Sequence, residues 1–317
     1  MHINLIGCGV SGLTTALVLQ EEGHTVCIYA EKMPQATTSA VAAAIWFPFS
    51  VQPREKANQW SYESFLVFQE MVRHEPSAGV SMIDFLVVVE NEADAWWQPA
   101  FAPGTIRPAR PEEMPLQAGL GFMTHVPLVE SPVYLDYLLQ RFWEQGGKIV
   151  EEKVKHPASL LRKSDFVVNC AGLGARELVG DTGMYAIRGQ VVKVAPRPQT
   201  RALVVEFTIG PVPGDIAYIL PRRDCIVLGG TAYRLDENMI ADPVQTQSIL
   251  ERCADLVPEV SHLPVIESVV GLRPGRDCIR LEKELNLNLI HNYGHGGGGY
   301  TVSWGCAREV ARLVAQS

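Results

Sequence analysis

Met1-His2-Ile3-Asn4-Leu5-Ile6-Gly7-Cys8-Gly9-Val10-Ser11-Gly12 sets a short apolar run directly against a G-x-G-x-x-G turn, and a helix-patterned segment follows without a break. Each glycine has its own use in dinucleotide binding. Gly7 permits a tight turn, Gly9 lets the backbone approach a pyrophosphate, and Gly12 lets the following helix lie close to the strand. A helix starting there turns unpaired N–H groups and the positive end of its dipole toward phosphates. Downstream, Leu13, Ala16, Leu17 and Leu19 form an apolar face at helical spacing, Gly23 sits where a helix would end, and Thr25-Val26-Cys27-Ile28-Tyr29 reads as a second strand. Glu31 follows that strand, roughly 20 residues past the glycines, where a carboxylate accepts hydrogen bonds from a ribose diol and would repel a 2′-phosphate.

Composition narrows the function classes. The 317 residues carry a formal charge of −8 with no cluster of Lys and Arg, so nucleic acid is excluded as a partner. The apolar run from Val41 to Phe49 is too short to span a bilayer and contains Pro48, and no basic region precedes the first strand, so neither a membrane segment nor a targeting segment is expected. Seven cysteines, an odd and scattered set without C-x-x-C, read as reduced core residues of a cytoplasmic protein. Neither a metal-ligand spacing nor a Ser/His/Asp arrangement stands out, and no metal is expected.

No repeat, low-complexity tract or linker divides the chain, which implies interleaved domains. Helices are expected over about 55–73, 132–145 and 300–315, and strands at 85–89, 148–153, 165–172, 268–272 and 287–292. Four β-rich runs between Ile187 and Gly230, separated by Pro and Gly, indicate an antiparallel sheet. Trp96 and Trp97 belong to packing or an interface. Arg222 and Arg223 read equally as an exposed turn or as an attraction for an acidic side chain.

A second glycine-rich turn, Gly294-His295-Gly296-Gly297-Gly298-Gly299-Tyr300-Thr301, again lies between a strand and a helix. Adjacent glycines cost folding entropy unless something must lie against the backbone. Two such turns at opposite ends of a chain suit a long ligand, with a diphosphate at the first and an electron-rich ring at the second. His295 reads as a loop residue and not as an acid or base. Gly271-Leu272-Arg273-Pro274-Gly275-Arg276 fixes Arg273 between a strand end and a proline, where its planar fork suits a carboxylate.

Together with Thr37-Thr38-Ser39 before Val41-Ala42-Ala43, with Val168-Asn169-Cys170-Ala171-Gly172, Arg188-Gly189-Gln190 and Arg280-Leu281-Glu282, and with His291-Asn292-Tyr293-Gly294-His295-Gly296-Gly297, these motifs resemble the D-amino-acid oxidases over nearly the whole chain, in order. The glycine and sarcosine oxidases share the first motif and Gly-Leu-Arg-Pro, but not the later continuations. The resemblance implies an α/β fold: a Rossmann-like FAD-binding domain (1–78, 132–180, 265–317) interleaved with an antiparallel-sheet α+β substrate domain (79–131, 181–264). It implies bound FAD, hydride transfer from a D-amino acid to flavin, hydrolysis of the imino acid, and reduction of O2 to H2O2. A cytoplasmic homodimer is expected.

Residue by residue, the resemblance assigns Arg273 to the substrate carboxylate, Tyr218 to a substrate hydrogen bond, and Tyr233 and Gly298 to the reacting centre. Cofactor contacts fall to Gly7, Gly9, Val10, Ser11, Gly12, Glu31, Lys32, Thr37, Thr38, Ser39, Ala42, Ala43 and Ala44. Val154 matches a position beside the adenine, and Cys170, Ala171, Gly172, Arg273, Gly296, Gly297, Gly298, Gly299, Tyr300 and Thr301 complete the set. Two departures stand out. Vertebrate members carry a lid tyrosine four residues before Tyr218, where this chain has Gly214, and the yeast tyrosine after Gly-Gly-Thr falls one residue late here, at Tyr233. The tail Val314-Ala315-Gln316-Ser317 lacks a Ser-Lys-Leu type of peroxisomal address, as a bacterial-type member would. The competing functions are a glycine or sarcosine type of amine oxidase, a nicotinamide dehydrogenase, and a flavin-binding protein without activity.

Overall fold

A computed structural model of the chain describes residues 1–115 and 119–316; residues 116–118 of the expected substrate domain, and Ser317 of the tail, lie outside the described residues. In chain order, β1 (His2–Ile6), α1 (Val10–Glu21), β2 (Thr25–Ala30) and α2 (Arg54–His74) lead into β3 (Val80–Val89), β4 (Arg107–Pro108) and β5 (Leu120–Val129). Next come α3 (Ser131–Glu144), β6 (Lys148–Glu151), α4 (Ala158–Leu161), β7 (Phe166–Asn169) and α5 (Ala175–Leu178). Strands β8 (Tyr185–Val194), β9 (Ala202–Val205), β10 (Asp215–Pro221), β11 (Ile226–Thr231) and β12 (Tyr233–Arg234) precede α6 (Pro243–Leu256). The chain closes with β13 (Val265–Gly275), β14 (Arg280–Lys283), β15 (Leu289–Tyr293) and α7 (Gly299–Ala315). Two compact units result: Met1–Val80 with Val129–Tyr185 and Arg273–Ser317, and Ser81–Leu128 with Ala186–Leu272.

The first unit is built on a sheet ordered β14-β15-β7-β1-β2-β6. β1 pairs in parallel with β2 and β7, placing Ile6 beside both Tyr29 and Asn169, and β14 joins β15 antiparallel at the edge. Ile3, Leu5 and Ile6 are buried, as a strand covered on both faces requires. Helix α1 is buried from Gly12 to Leu19 and packs against α7 and α3. Two threonines enter this core without stranded donors, because Thr14 and Thr15 return their hydroxyls to the carbonyls of Val10 and Ser11 at 2.9 and 2.6 Å. Past the end of α1, Gly23 takes φ +83°, the left-handed turn that closes a helix.

The second unit holds a nine-stranded sheet ordered β12-β8-β11-β10-β9-β3-β5-β4, with β13 beside β8. The four runs between Ile187 and Gly230 form β8, β11, β10 and β9, antiparallel to one another as expected, and β3 joins them by pairing with β9 in parallel. Parallel neighbours need a long crossover, and the chain between β3 and β9 supplies one by way of the first unit. Helix α6, which the sequence reading passed over, lays Ile249, Cys253 and Leu256 against Val192, Ala217 and Leu228 of the sheet. Its start was legible in hindsight, since Asp242 caps it by accepting the Val244 N–H at 2.8 Å and Pro243 occupies the first turn.

Candidate active site

Strand β1 ends at Gly7, whose φ of +104° and close approach to the Cys170 carbonyl, 2.5 Å from where a Cβ would stand, leave room for glycine alone. A Cβ on Gly12 would run into the Gly7 carbonyl, so the start of α1 can lie on β1 only with glycine there. Gly9 supplies no side chain to cap α1, and the Val10 N–H is donated to Ser39 Oγ at 3.0 Å. Ser39 belongs to a tight turn over Thr37, Thr38 and Ser39, in which Thr37 returns its hydroxyl to the Pro34 carbonyl at 2.6 Å. The Tyr300 phenol, from the start of α7, donates to the Ser39 carbonyl at 2.8 Å, and Ser11 Oγ donates to the Asn292 carbonyl at 3.4 Å. The two glycine-rich turns, far apart in sequence, therefore meet at the first turns of α1 and α7.

The remaining cofactor candidates surround this junction. Cys170 is buried beside Thr15, and burial pushes its thiol up to about 12, so it is a neutral filler and not a nucleophile. The Asn169 side chain accepts the Ala171 N–H at 3.0 Å and shapes the turn into Gly172, which takes φ +56°. Val154 is buried with Ile6, Leu160 and Val167, and Ala171 packs on the same group. Ala42 and Ala44 accept from Ser131 Oγ and the Val129 N–H at 2.6 and 2.9 Å; Ala43 stands half-buried between them.

Glu31 and Lys32 are exposed at the end of β2. Lys153, which the sequence reading did not single out, bridges Glu31 at 3.6 Å and Glu177 at 3.5 Å, and those two carboxylates hold its ammonium above the ordinary lysine range. A ribose at Glu31 would thus meet a carboxylate already oriented by a cation. The residues suit a dinucleotide: a helix start whose N-cap, Gly9, carries no side chain, glycines that only backbone can pass, and a carboxylate at the ribose position.

In the second turn, Gly296 takes φ +54° and donates its N–H to the Pro274 carbonyl at 2.9 Å, which ties this loop to the Arg273-Pro274 pair. A Cβ on Gly297 would meet Phe49 at 3.3 Å and Arg273 Cδ at 3.8 Å, and one on Gly298 would collide with Val51. A Cβ on Gly299 would touch Val10 at 3.9 Å, and Thr301 fastens α7 by exchanging hydrogen bonds with Phe47, receiving its N–H at 3.1 Å and donating to its carbonyl at 2.9 Å. His295 lies buried, with its Nε2 3.0 Å from Asn292 Oδ1. Burial pushes it down to about 4, so it is neutral and structural.

Tyr218 and Tyr233 belong to the second unit. Tyr218 pairs with Gly229 across β10 and β11, and its ring occupies the space that a Gly229 side chain would fill. The Tyr233 phenol donates to Asp215 Oδ1 at 2.6 Å; burial and this acceptor push it up to about 12. Gly214, where the vertebrate lid tyrosine would stand, takes φ +93°, and a Cβ there would press on the Tyr233 ring at 3.1 Å.

Three further expectations meet their physical outcome. Arg222 is buried and forks onto Asp224 at 3.1 and 3.0 Å, which takes it out of any exposed turn, while Arg223 is exposed. Arg188, 1 % exposed, donates to the Asn238 and Ile240 carbonyls, both at 2.7 Å, so the Arg-Gly-Gln motif ties the loop ahead of α6 to β8. Trp97 is fully buried and donates to Glu206 Oε2 at 2.7 Å, a packing role.

The chain matches the family model described as FAD dependent oxidoreductase over residues 3–313. It is similar to a D-amino-acid oxidase of Rubrobacter xylanophilus, 38% identical over 315 residues that cover 98% of this chain and 94% of the relative. A D-amino-acid oxidase of Streptomyces coelicolor is 37% identical over 319 residues, covering 99% and 97%. Among solved structures, the fold resembles that of glycine oxidase from Geobacillus kaustophilus, with a TM-score of 0.81 at 20% identity, covering 99% of this chain and 94% of that one.

Proposed function

The chain belongs to the FAD-dependent oxidoreductase family, and from that premise we propose that it deaminates D-amino acids oxidatively with FAD as cofactor and O2 as final acceptor. The observation inside the molecule that carries the reading is the meeting of Arg273 with the Gly296–Gly299 turn, because one substrate must be held by its carboxylate beside the group that oxidises it. Bound FAD would accept hydride from the α-carbon and pass the electrons to O2 as hydrogen peroxide, while water hydrolyses the released imino acid to a 2-oxo acid and ammonia.

This chain's residues supply binding and orientation. Arg273 offers the planar donor fork for the carboxylate, and Tyr218 adds a phenol donor. Gly298 contributes backbone only, since Val51 excludes a side chain. With two substituents of the α-carbon assigned, to Arg273 and to the flavin, the amino group and side chain must divide the remaining directions, and an L-enantiomer would exchange them. That exchange strands a polar group, at a cost of about 1–3 kcal/mol.

No helix among the described residues is long and apolar enough to cross a membrane. The seven cysteines are unpaired, as in a reducing compartment, which supports a cytoplasmic location. We also take the working form to be a homodimer, which light scattering checks. Glycine or sarcosine oxidation is the second reading, favoured by the Geobacillus fold likeness. Oxygen consumption with D-amino acids, L-amino acids, glycine and sarcosine separates the two, and faster turnover of glycine or sarcosine than of every D-amino acid overturns the first.

A further inference from the structure

The Tyr233 hydroxyl spends its proton inside the protein. It donates to Asp215 Oδ1 at 2.6 Å, and Asp215 is 3 % exposed. The other carboxylate oxygen, Oδ2, accepts the Val212 N–H at 3.3 Å and faces Arg252 Nη1 at 3.4 Å. Arg252 reaches in from α6, where it also donates to Ser248 Oγ at 2.6 Å and to the carbonyls of Gly230 and Ile216 at 3.0 and 3.4 Å. Two glycines pack closely on the pair: a Cβ on Gly210 would collide with the Asp215 carboxylate, and one on Gly214 would stand 3.1 Å from the Tyr233 ring.

A phenol carries one proton. Once that proton is given to a carboxylate, the oxygen offers only lone pairs to any other partner. An amino acid presents a carboxylate, which only accepts, and an amino group, which donates. An acceptor-only oxygen can satisfy the second and is useless to the first. Resting on the functional reading above, we propose that Asp215 is a positioning residue: it holds Tyr233 with its proton turned inward, so that the Tyr233 oxygen offers the substrate amino group lone pairs alone. The upward push on the phenol to about 12 keeps it protonated across the working range, so the arrangement persists in neutral and mildly alkaline solution.

The test separates carboxylate from amino-group recognition. In Tyr233→Phe, the KM for D-alanine should rise about tenfold, the effect of one lost hydrogen bond to a charged group. The inhibition constant of propionate, which has the carboxylate and no amino group, should stay within about twofold of the parent. Equal weakening of both, or no change in D-alanine KM, overturns the proposal. Asp215→Asn supplies an independent arm. Val212 N–H and Arg252 would draw the amide oxygen to the Oδ2 position, leaving the NH2 facing Tyr233 and turning the phenol proton outward. The D-alanine KM should then rise about tenfold in the parent background and less than twofold further in Tyr233→Phe. Losses of equal size in both backgrounds show that Asp215 acts otherwise than through Tyr233. Parent protein that oxidises no D-amino acid defeats the functional reading itself, a result distinct from either variant pattern.

Discussion

In the proposed reaction, Arg273 holds the substrate by its carboxylate. Replacing it with alanine removes a bidentate partner from the carboxylate, so the KM for D-amino acids should rise strongly, by roughly a hundredfold for a charged pair worth about 3 kcal/mol, while bound flavin survives purification. A variant with the parent's kcat/KM would place the carboxylate elsewhere. A different residue, Glu206, governs a pH effect on stability. Burial pushes its carboxyl up to about 8, and the Trp97 N–H offsets only part of that. Its folded value lies above the unfolded one near 4.3, so the folded state binds the extra proton between them. Stability from this group is therefore full below the unfolded value and falls as pH rises toward 8. Glu206→Gln keeps an acceptor for Trp97 and carries no charge. Thermal melts should show the variant gaining on the parent by on the order of 1–3 kcal/mol at pH 8 and by much less at pH 5; an equal gap at both pH values would rule this out.

Helix α7 crosses α2 at Gly305, where a Cβ would drive into the Trp60 backbone, and Ser64 Oγ lies 3.0 Å from the Gly305 N–H. Glycine is a poor helix former, so its presence in mid-helix is explained by this close crossing. Gly305→Ala should lower stability by about 1–3 kcal/mol through overpacking, despite its better helix propensity, and a melt at or above the parent's would refute the crossing. The elements read best from sequence were those with strong periodicity and clear ends. Helix α2 was expected over 55–73 and runs Arg54–His74; α7 was expected over 300–315 and runs Gly299–Ala315. Helix α6 escaped because its apolar face is narrow, with Ile249, Cys253 and Leu256 set among polar residues. The parallel β3–β9 pair escaped for another reason: strand direction is decided by where the chain returns, which local pattern does not encode. The two glycine-rich turns and the Arg273-Pro274 pair tied to the second of them were legible because their signals are local. Lys153, Asp215 and Arg252 were not, since each acts through a partner far away in sequence or on another element.

At the scale of the molecule, the chain forms two compact units. One brings both glycine-rich turns together around a dinucleotide cradle, and the other builds Tyr218 and Tyr233 into one sheet. The central claim is that the product of this arrangement is an oxidase of D-amino acids. Anaerobic mixing of the purified yellow protein with matched D and L forms of alanine, proline, methionine and phenylalanine tests it most directly, because loss of the oxidised-flavin absorbance reports hydride transfer without any contribution from oxygen. The account predicts bleaching by the D forms and an unchanged spectrum with the L forms; bleaching by the L forms at comparable rates, or by neither, would contradict it.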